Sequence, residues 1–255
     1  MKSEVIKQAF RLGNSAGVLL PIEWRNRKVA VKLIDKSITQ EIFEMLDNED
    51  LLANTMGVFL AGSYARGEED EDSDIDILVL TDSINKQVRR GKYEILFISK
   101  DRLDKVIGKS LYVISLINEA KAIVNNSLLE RYKSKKWNIQ IKRNLKFIKS
   151  LIGLNEKSLE IYKELNRNVG DGVIYSLVLR LRELYLIECI ISGKKQSKRE
   201  FVNIIREAAG DESYQAYLRI KNDLKSKEVI PLEDAQSLLS EIKRRTKNIE
   251  HGKKK

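Results

Sequence analysis

The chain of 255 residues holds one cysteine, Cys189, one histidine, His251, and two prolines, Pro21 and Pro231. A single cysteine excludes an intrachain disulfide framework and a cysteine-rich zinc site. No apolar run is long enough to span a bilayer, so no transmembrane helix is expected. The opening stretch MKSEVIKQAFRLGNSAG lacks the apolar segment of a secretory signal. A cytoplasmic protein is the expectation.

What is there is apolar enough to build real cores, at 42% hydrophobic, and densely charged, at 33%. The length suits one large domain or two to three small ones. The net charge of +10 is unevenly spread: residues 1–131 hold 19 Lys/Arg and 21 Asp/Glu, and residues 132–255 hold 28 and 16. Such asymmetry fits two functional halves, the second suited to an acidic partner or nucleic acid, or a plain solvated helical surface.

Periodicity divides the chain further. Residues 4–34 read as a small β unit, with VIKQAFRLGNSAGVLLP alternating around a Gly13-Asn14 turn up to Pro21, and VAVKLI (29–34) as another strand. Residues 37–54 carry helical spacing behind Ser37 as N-cap. Strands are expected at 57–62, 74–80, 93–99 and 121–125, with a helix over 101–118, which together imply a mixed α/β sheet. Beyond about residue 128 the strand signals fade. Helical periodicity then fits 138–166, 171–192, 197–209, 213–226 and 232–249, punctuated by Gly170-Asp171, Ser192-Gly193, Gly210-Asp211 and Pro231. The fold class is therefore a multidomain α+β arrangement: β arm 1–36, mixed-sheet domain 37–131, helical bundle 132–255.

One stretch concentrates chemistry. FLAGSYARGEEDEDSDIDILVL (59–80) passes from an apolar strand through a glycine-serine turn to seven carboxylates in nine residues. On a strand, residues two apart share a face, so Asp74 and Asp76 project together, away from Ile75, Ile77 and Val79. Such a pair seats a hard divalent cation such as Mg²⁺, which takes one or two carboxylates plus phosphate oxygens and water. Gly62-Ser63 lets backbone approach a phosphate, helped by amides at a following helix start. A phosphate cradle beside a carboxylate pair is the machinery of phosphoryl or nucleotidyl transfer. Of the other acids, Glu68, Glu69, Asp70, Glu71 and Asp72 are expected to be solvated, and Arg66 to touch either a phosphate or this acidic loop. Ser73 is expected to cap the turn into the strand.

Gly62-Ser63, Gly67 and Asp74-Ile75-Asp76 resemble the signature of the DNA polymerase beta-type nucleotidyltransferase superfamily, in the form of the minimal and kanamycin-nucleotidyltransferase-like members. The match covers about residues 37–130, including INEAKAIVN. The resemblance implies an enzyme that moves NMP from an NTP, with ATP expected, to an acceptor hydroxyl and releases pyrophosphate. It implies a two-metal Mg²⁺ site on Asp74, Asp76 and a third carboxylate, for which Glu94 in KYEILFIS is the candidate. Gly62, Ser63, Arg66 and Gly67 would hold the nucleotide. An antibiotic-like small molecule, a partner protein and an RNA end all stay open as acceptors.

The 31 residues VIKQAFRLGNSAGVLLPIEWRNRKVAVKLID (5–35), with GNS followed by LP, resemble the swapped-hairpin AbrB/MazE-type fold. One copy of that half-barrel cannot close its own sheet, so the resemblance implies a homodimer. It also allows DNA binding through Lys7, Arg11 and Asn14. A rival reading follows: a dimeric DNA-binding regulator whose nucleotidyltransferase domain senses nucleotide or is vestigial. The helical half is similar to HEPN-like bundles, but His251 in the tail gives no basis for their nuclease motif. In VIYSLVLRLRELYLIECII an internal Arg-Glu ion pair is favoured over substrate contact for Arg180 and Arg182. For the aromatic residues, Trp137 among them, a place in a core or interface is favoured over base stacking.

Overall fold

The computed structural model describes residues 4–33, 36–71 and 73–252. It divides into two compact units, Met1–Met45 and Leu46–Lys255.

In the first unit, β1 (Phe10–Leu12) and β2 (Ser15–Gly17) pair antiparallel, with Phe10 opposite Gly17. They turn at Gly13-Asn14 as the alternation indicated, and Gly13 takes the left-handed φ of 60° that such a turn requires. The strand expected over 29–34 does not form over its described part, residues 29–33, and Ile34 lies outside the described residues. Alternation supplies no hydrogen bonds by itself. The two-stranded ribbon is the only sheet here among the described residues. Helix α1 (Ile38–Asn48) is opened by a reciprocal cap: the Gln40 amide donates to Ser37 Oγ at 3.3 Å, and the Ser37 amide donates to Gln40 Oε1 at 3.0 Å.

The second unit takes in the last residues of α1, from Leu46, and continues with β3 (Thr55–Ala61), a short helix α2 (Gly62–Arg66) and β4 (Ile75–Thr81). Strands β5 (Lys86–Arg90) and β6 (Tyr93–Ser99), helices α3 (Lys100–Val106) and α4 (Leu111–Glu119), strand β7 (Lys121–Val124) and helix α5 (Asn126–Ser134) follow. The sheet runs β5-β6-β4-β3-β7, with β4 and β6 parallel and the other pairs antiparallel. Leu78, Leu80, Phe59 and Ile98 on the strands close against Leu103, Ile114, Ile117 and Leu129 from the helices. Strand β5, KQVRR, carries almost no apolar residue and gave no periodic signal; lysines and arginines suit an edge strand, which must not recruit another chain.

The single helix expected over 101–118 is two. They part at Ile107–Ser110, where Gly108 makes room for another segment: a Cβ there would lie 2.8 Å from the Asn138 carbonyl oxygen, and the Gln140 amide donates to the Gly108 carbonyl at 2.9 Å. Ser110 then caps α4 by accepting from the Val113 amide.

The rest is the helical half: α6 (Ile141–Glu164), β8 (Val169–Gly170), α7 (Asp171–Ser192), α8 (Lys198–Lys221), β9 (Glu228–Ile230) and α9 (Leu232–Gly252). Helix α7 is its centre. Leu177, Val178, Leu181, Leu184 and Ile187 are fully buried, and each such side chain contributes about 1.5–3 kcal/mol. The break expected near Gly210 is a kink inside α8: Ala209 has φ −150° and Gly210 φ 73°, ψ 172°, a conformation open to glycine.

Candidate active site

The cleft lies between the sheet and the helical half, within the second unit. Its floor is set by strand register. In the ladders, Asp76 on β4 stands opposite Ala61 on β3 and beside Glu94 on the parallel strand β6. Asp74 lies just before β4 begins. Gly62, Ser63, Arg66, Asp74, Asp76 and Glu94 all line one cavity of about 190 Å³.

Gly62 is required there. Its φ is +66°, and a Cβ would fall 1.9 Å from Asp76 Oδ2, so only a bare backbone passes this close to the carboxylate. Gly67 serves the backbone instead. With φ 73° it ends α2 as a left-handed C-cap, a Cβ on it would meet nothing, and it does not line the cavity.

Charge in the floor is one-sided at Asp76. Burial, then the neighbouring Glu94 carboxylate, push its pKa up to about 6; Arg182 opposes this, Asp74 adds to it, and Lys221 opposes it. Asp74 is held by cations instead, Lys221 Nζ at 2.9 Å and Arg89 Nη2 at 3.4 Å. Arg89 Nε also lies 3.9 Å from Glu94 Oε1. Above the floor, Tyr112 on α4 has its phenol pushed up to about 12 by burial, then by the Asp76 and Glu94 carboxylates.

Among the described residues, no group of three or more His, Cys, Asp or Glu side chains is gathered as a metal cage. The donor set nonetheless fits Mg²⁺, which needs only one or two carboxylates when phosphate and water complete its octahedron. Asp76, half-buried and next to Glu94 in the ladder with Asp74 lining the same cavity, is the observation that favours such a fit.

The acidic loop corrects one expectation. Glu68 and Asp70 are not simply solvated. The Lys198 amide and Ser197 Oγ donate to Glu68 at 2.8 and 2.7 Å, and Lys198 Nζ donates to Asp70 at 2.5 Å. The physical reason is the start of α8, whose free amides and lysine attract anions. Burial raises the pKa of both carboxyls, but these bonds outweigh it and hold each below the ordinary range. Glu69 and Glu71 are exposed as expected, and Asp72 lies outside the described residues. Arg66 turns to acids, Glu68 at 2.8 Å and Glu119. Ser73 Oγ donates to Asp70 Oδ1 and accepts from the Asp70 amide, closing the loop.

The opposite wall comes from residues the sequence did not single out as a site, and from Arg182. An internal Arg-Glu pair was expected of Arg182, but among the described residues it has no carboxylate within ion-pair distance and lines the cavity instead. Lys198, Phe201, Tyr214, Tyr217 and Lys221 reach in from α8, and Arg182 from α7. Tyr217 stacks between Tyr175 and Tyr214, with centroids 5.5 and 6.3 Å away. These residues lie more than a hundred positions after the acidic motif and no local pattern marks them. Arg180 forms the internal pair expected of it, 3.3 Å from Glu183. Trp137 stacks on Tyr132 against the sheet core.

The family model of the nucleotidyltransferase domain matches residues 44–251. The chain belongs to this family. It is a nucleotidyltransferase by that membership, and the match runs through both the sheet and the helical half. No curated protein matches it. Among solved structures it is similar to the spectinomycin adenyltransferase AAD(9) from Enterococcus faecialis, described with ATP and spectinomycin. They are 14% identical, the TM-score is 0.43, and the likeness covers 82% of this chain and 98% of that one. A nucleotidyltransferase-like protein from Exiguobacterium sibiricum is also 14% identical, with a TM-score of 0.34, over 83% of this chain and 75% of that one. Among the described residues no helix of this nucleotidyltransferase is long and apolar enough to cross a membrane.

Proposed function

We propose that this nucleotidyltransferase moves NMP from an NTP, ATP first among them, to an acceptor hydroxyl and releases pyrophosphate, with Mg²⁺ held by Asp74, Asp76 and Glu94. The observation that carries the reading is the meeting of those three carboxylates with Gly62-Ser63 around one cavity. Mg²⁺, when bound, supplies positive charge to phosphate oxygens and favours ionisation of the acceptor hydroxyl.

The chain's own residues do the rest. Gly62 and Ser63 bring backbone against the triphosphate, and Arg66 stands at the same wall. The backbone of Asp76 is fixed between β3 and β6, so its carboxylate starts from a set position in the cleft. Glu94 Oε takes the proton of the attacking hydroxyl. Arg182, on the rigid α7, offers charge to the side of the NTP away from the strands.

The domain division that goes with this reading is 1–36, 37–131 and 132–255. The arm would join two copies, since Ile6, Val31 and Leu33 are 83%, 76% and 83% exposed. Protein purified at different concentrations and run through light scattering would read that state; a monomer throughout would remove the arm-to-arm contact. A cytoplasmic location and an acidic or nucleic-acid partner for the basic helical half belong to the same reading.

The deciding experiment offers α-³²P-labelled NTPs, Mg²⁺ and cell extract as acceptor pool to the wild type and to Asp74→Ala/Asp76→Ala. Label transferred by the wild type alone supports the reading, and the labelled species names the acceptor. Nucleotide binding without transfer would favour a sensing regulator, to which the exposed arm would then be central.

A further inference from the structure

The cation nearest to the floor of the cleft belongs to the protein. Lys221 Nζ lies 2.9 Å from Asp74 Oδ2, in a pair whose side chains are only 30% and 17% exposed. Its base is fixed. Two residues earlier, Arg219 donates twice to the fully buried Asp171, at 2.7 and 2.8 Å, and the Lys227 amide donates to the same carboxylate at 2.9 Å. The end of α8 is therefore pinned, while the four-carbon stem of Lys221 is free to swing.

We infer that Lys221, closer to Asp74 than the more exposed Arg89 at 3.4 Å, is the chief cation of the metal-free site: it neutralises Asp74 where a divalent ion would, yields the carboxylate when the ion arrives, and turns to the incoming phosphate oxygens. The inference rests on Asp74 being a metal ligand, as proposed above. Two charges in one place explain it. Without any cation Asp74 would crowd Asp76 and Glu94, three carboxylates around one cavity. With both Lys221 and a divalent ion on Asp74, two cations would repel at short range. One must leave, and only the lysine is tethered so that leaving keeps it in the cleft. Lys198 makes the corresponding contact at the other end of α8, on Asp70, but that carboxylate is outside the cavity lining and its pair can persist.

Lys221 thus opposes metal alone and favours metal with nucleotide. Mn²⁺ is the probe, its free fraction read by electron paramagnetic resonance in the full chain without nucleotide. Lys221→Met is expected to bind Mn²⁺ at least about fivefold more tightly than wild type. Lys221→Arg, which keeps the charge, should match wild type, and Asp74→Asn should lose the site. With Mn²⁺ and a non-hydrolysable NTP analogue, Lys221→Met should bind the analogue about fivefold more weakly. Circular dichroism melts check that each variant is folded. If Lys221→Met binds Mn²⁺ like wild type while Asp74→Asn loses it, the inference is overturned and the metal assignment stands. If Asp74→Asn binds like wild type, the metal assignment fails and the inference with it.

Discussion

The Glu68 carboxylate accepts the backbone amide of Lys198 at 2.8 Å, joining the acidic loop to the first turn of a helix 130 residues later. Ser197 Oγ and Arg66 complete its partners. The loop that follows the Gly62-Ser63 turn is therefore anchored to the wall opposite strands β4 and β6.

Removing that anchor should cost stability and substrate binding together. Glu68→Ala leaves an amide at a helix start and a hydroxyl without their acceptor, a loss of about 1–2 kcal/mol. Urea melts of the two proteins would read it, and KM for NTP should rise more than kcat falls. Unchanged melting would mean that water replaces the carboxylate freely.

Gly62 and Gly67 both have positive φ, yet their alanine variants should differ sharply. At Gly62 the new methyl collides with Asp76, so activity should fall about a hundredfold or more even in protein that folds. At Gly67 the methyl meets nothing, and only the left-handed backbone is strained, costing about 1 kcal/mol with activity largely kept. Pyrophosphate release and thermal melts on both variants separate the two cases.

The buried Asp171 gives a pH dependence with a definite sign. Burial raises its pKa, but hydrogen bonds from Arg219 and the Lys227 amide, and the charges of both, outweigh it and set the carboxyl below its ordinary range. The unfolded chain then binds the proton more readily, so this contribution is fully present above the unfolded pKa of about 4 and is lost as pH falls through the lower folded value. Asp171→Asn should unfold at least about 3 kcal/mol more easily at pH 7 and show a flatter acid limb. Equal acid limbs in the two proteins would rule the pair out as its source.

Asp76 has the opposite sign. Its folded pKa, about 6, lies above the unfolded value, so the folded protein is favoured at low pH and loses that advantage as pH rises through 6. In chelator, Asp76→Asn should therefore melt higher than wild type at pH 8, with the gap closing by pH 4, while nucleotidyl transfer is lost. A variant that is both less active and less stable at pH 8 would contradict it.

How much of this was readable beforehand depends on where the partners lie. The pairing of Asp76 with its neighbours was legible, because strand periodicity and a glycine-serine turn are local patterns. So was α7, found over the same 171–192 that periodicity gave. Strand β5 was not legible, since its order comes from pairing with β6 rather than from its own side chains. Gly108 was passed over because its importance lies in a close approach to Asn138, thirty residues away. Likewise Glu68 and Asp70 looked like acids in water: their partners, Ser197 and Lys198, are adjacent only in space. Lys221 and Tyr217 were invisible as site residues for the same reason.

The kink at Gly210 has an electrostatic consequence for α8. A helix broken at its middle carries two macrodipoles rather than one. The second half opens with Asp211 and Glu212 and closes with Arg219 and Lys221, each sign matched to its own end of that shorter dipole. Arg206 donates to Asp211 at 2.7 Å across the break and lies over the Tyr214 ring, 5.5 Å from its centroid, so one guanidinium stitches the two rods. Both ends of α8 thus bring a lysine to the one cavity, and the charge of Lys221 at its back still helps hold Asp70, the partner of Lys198 at its front, below the ordinary range.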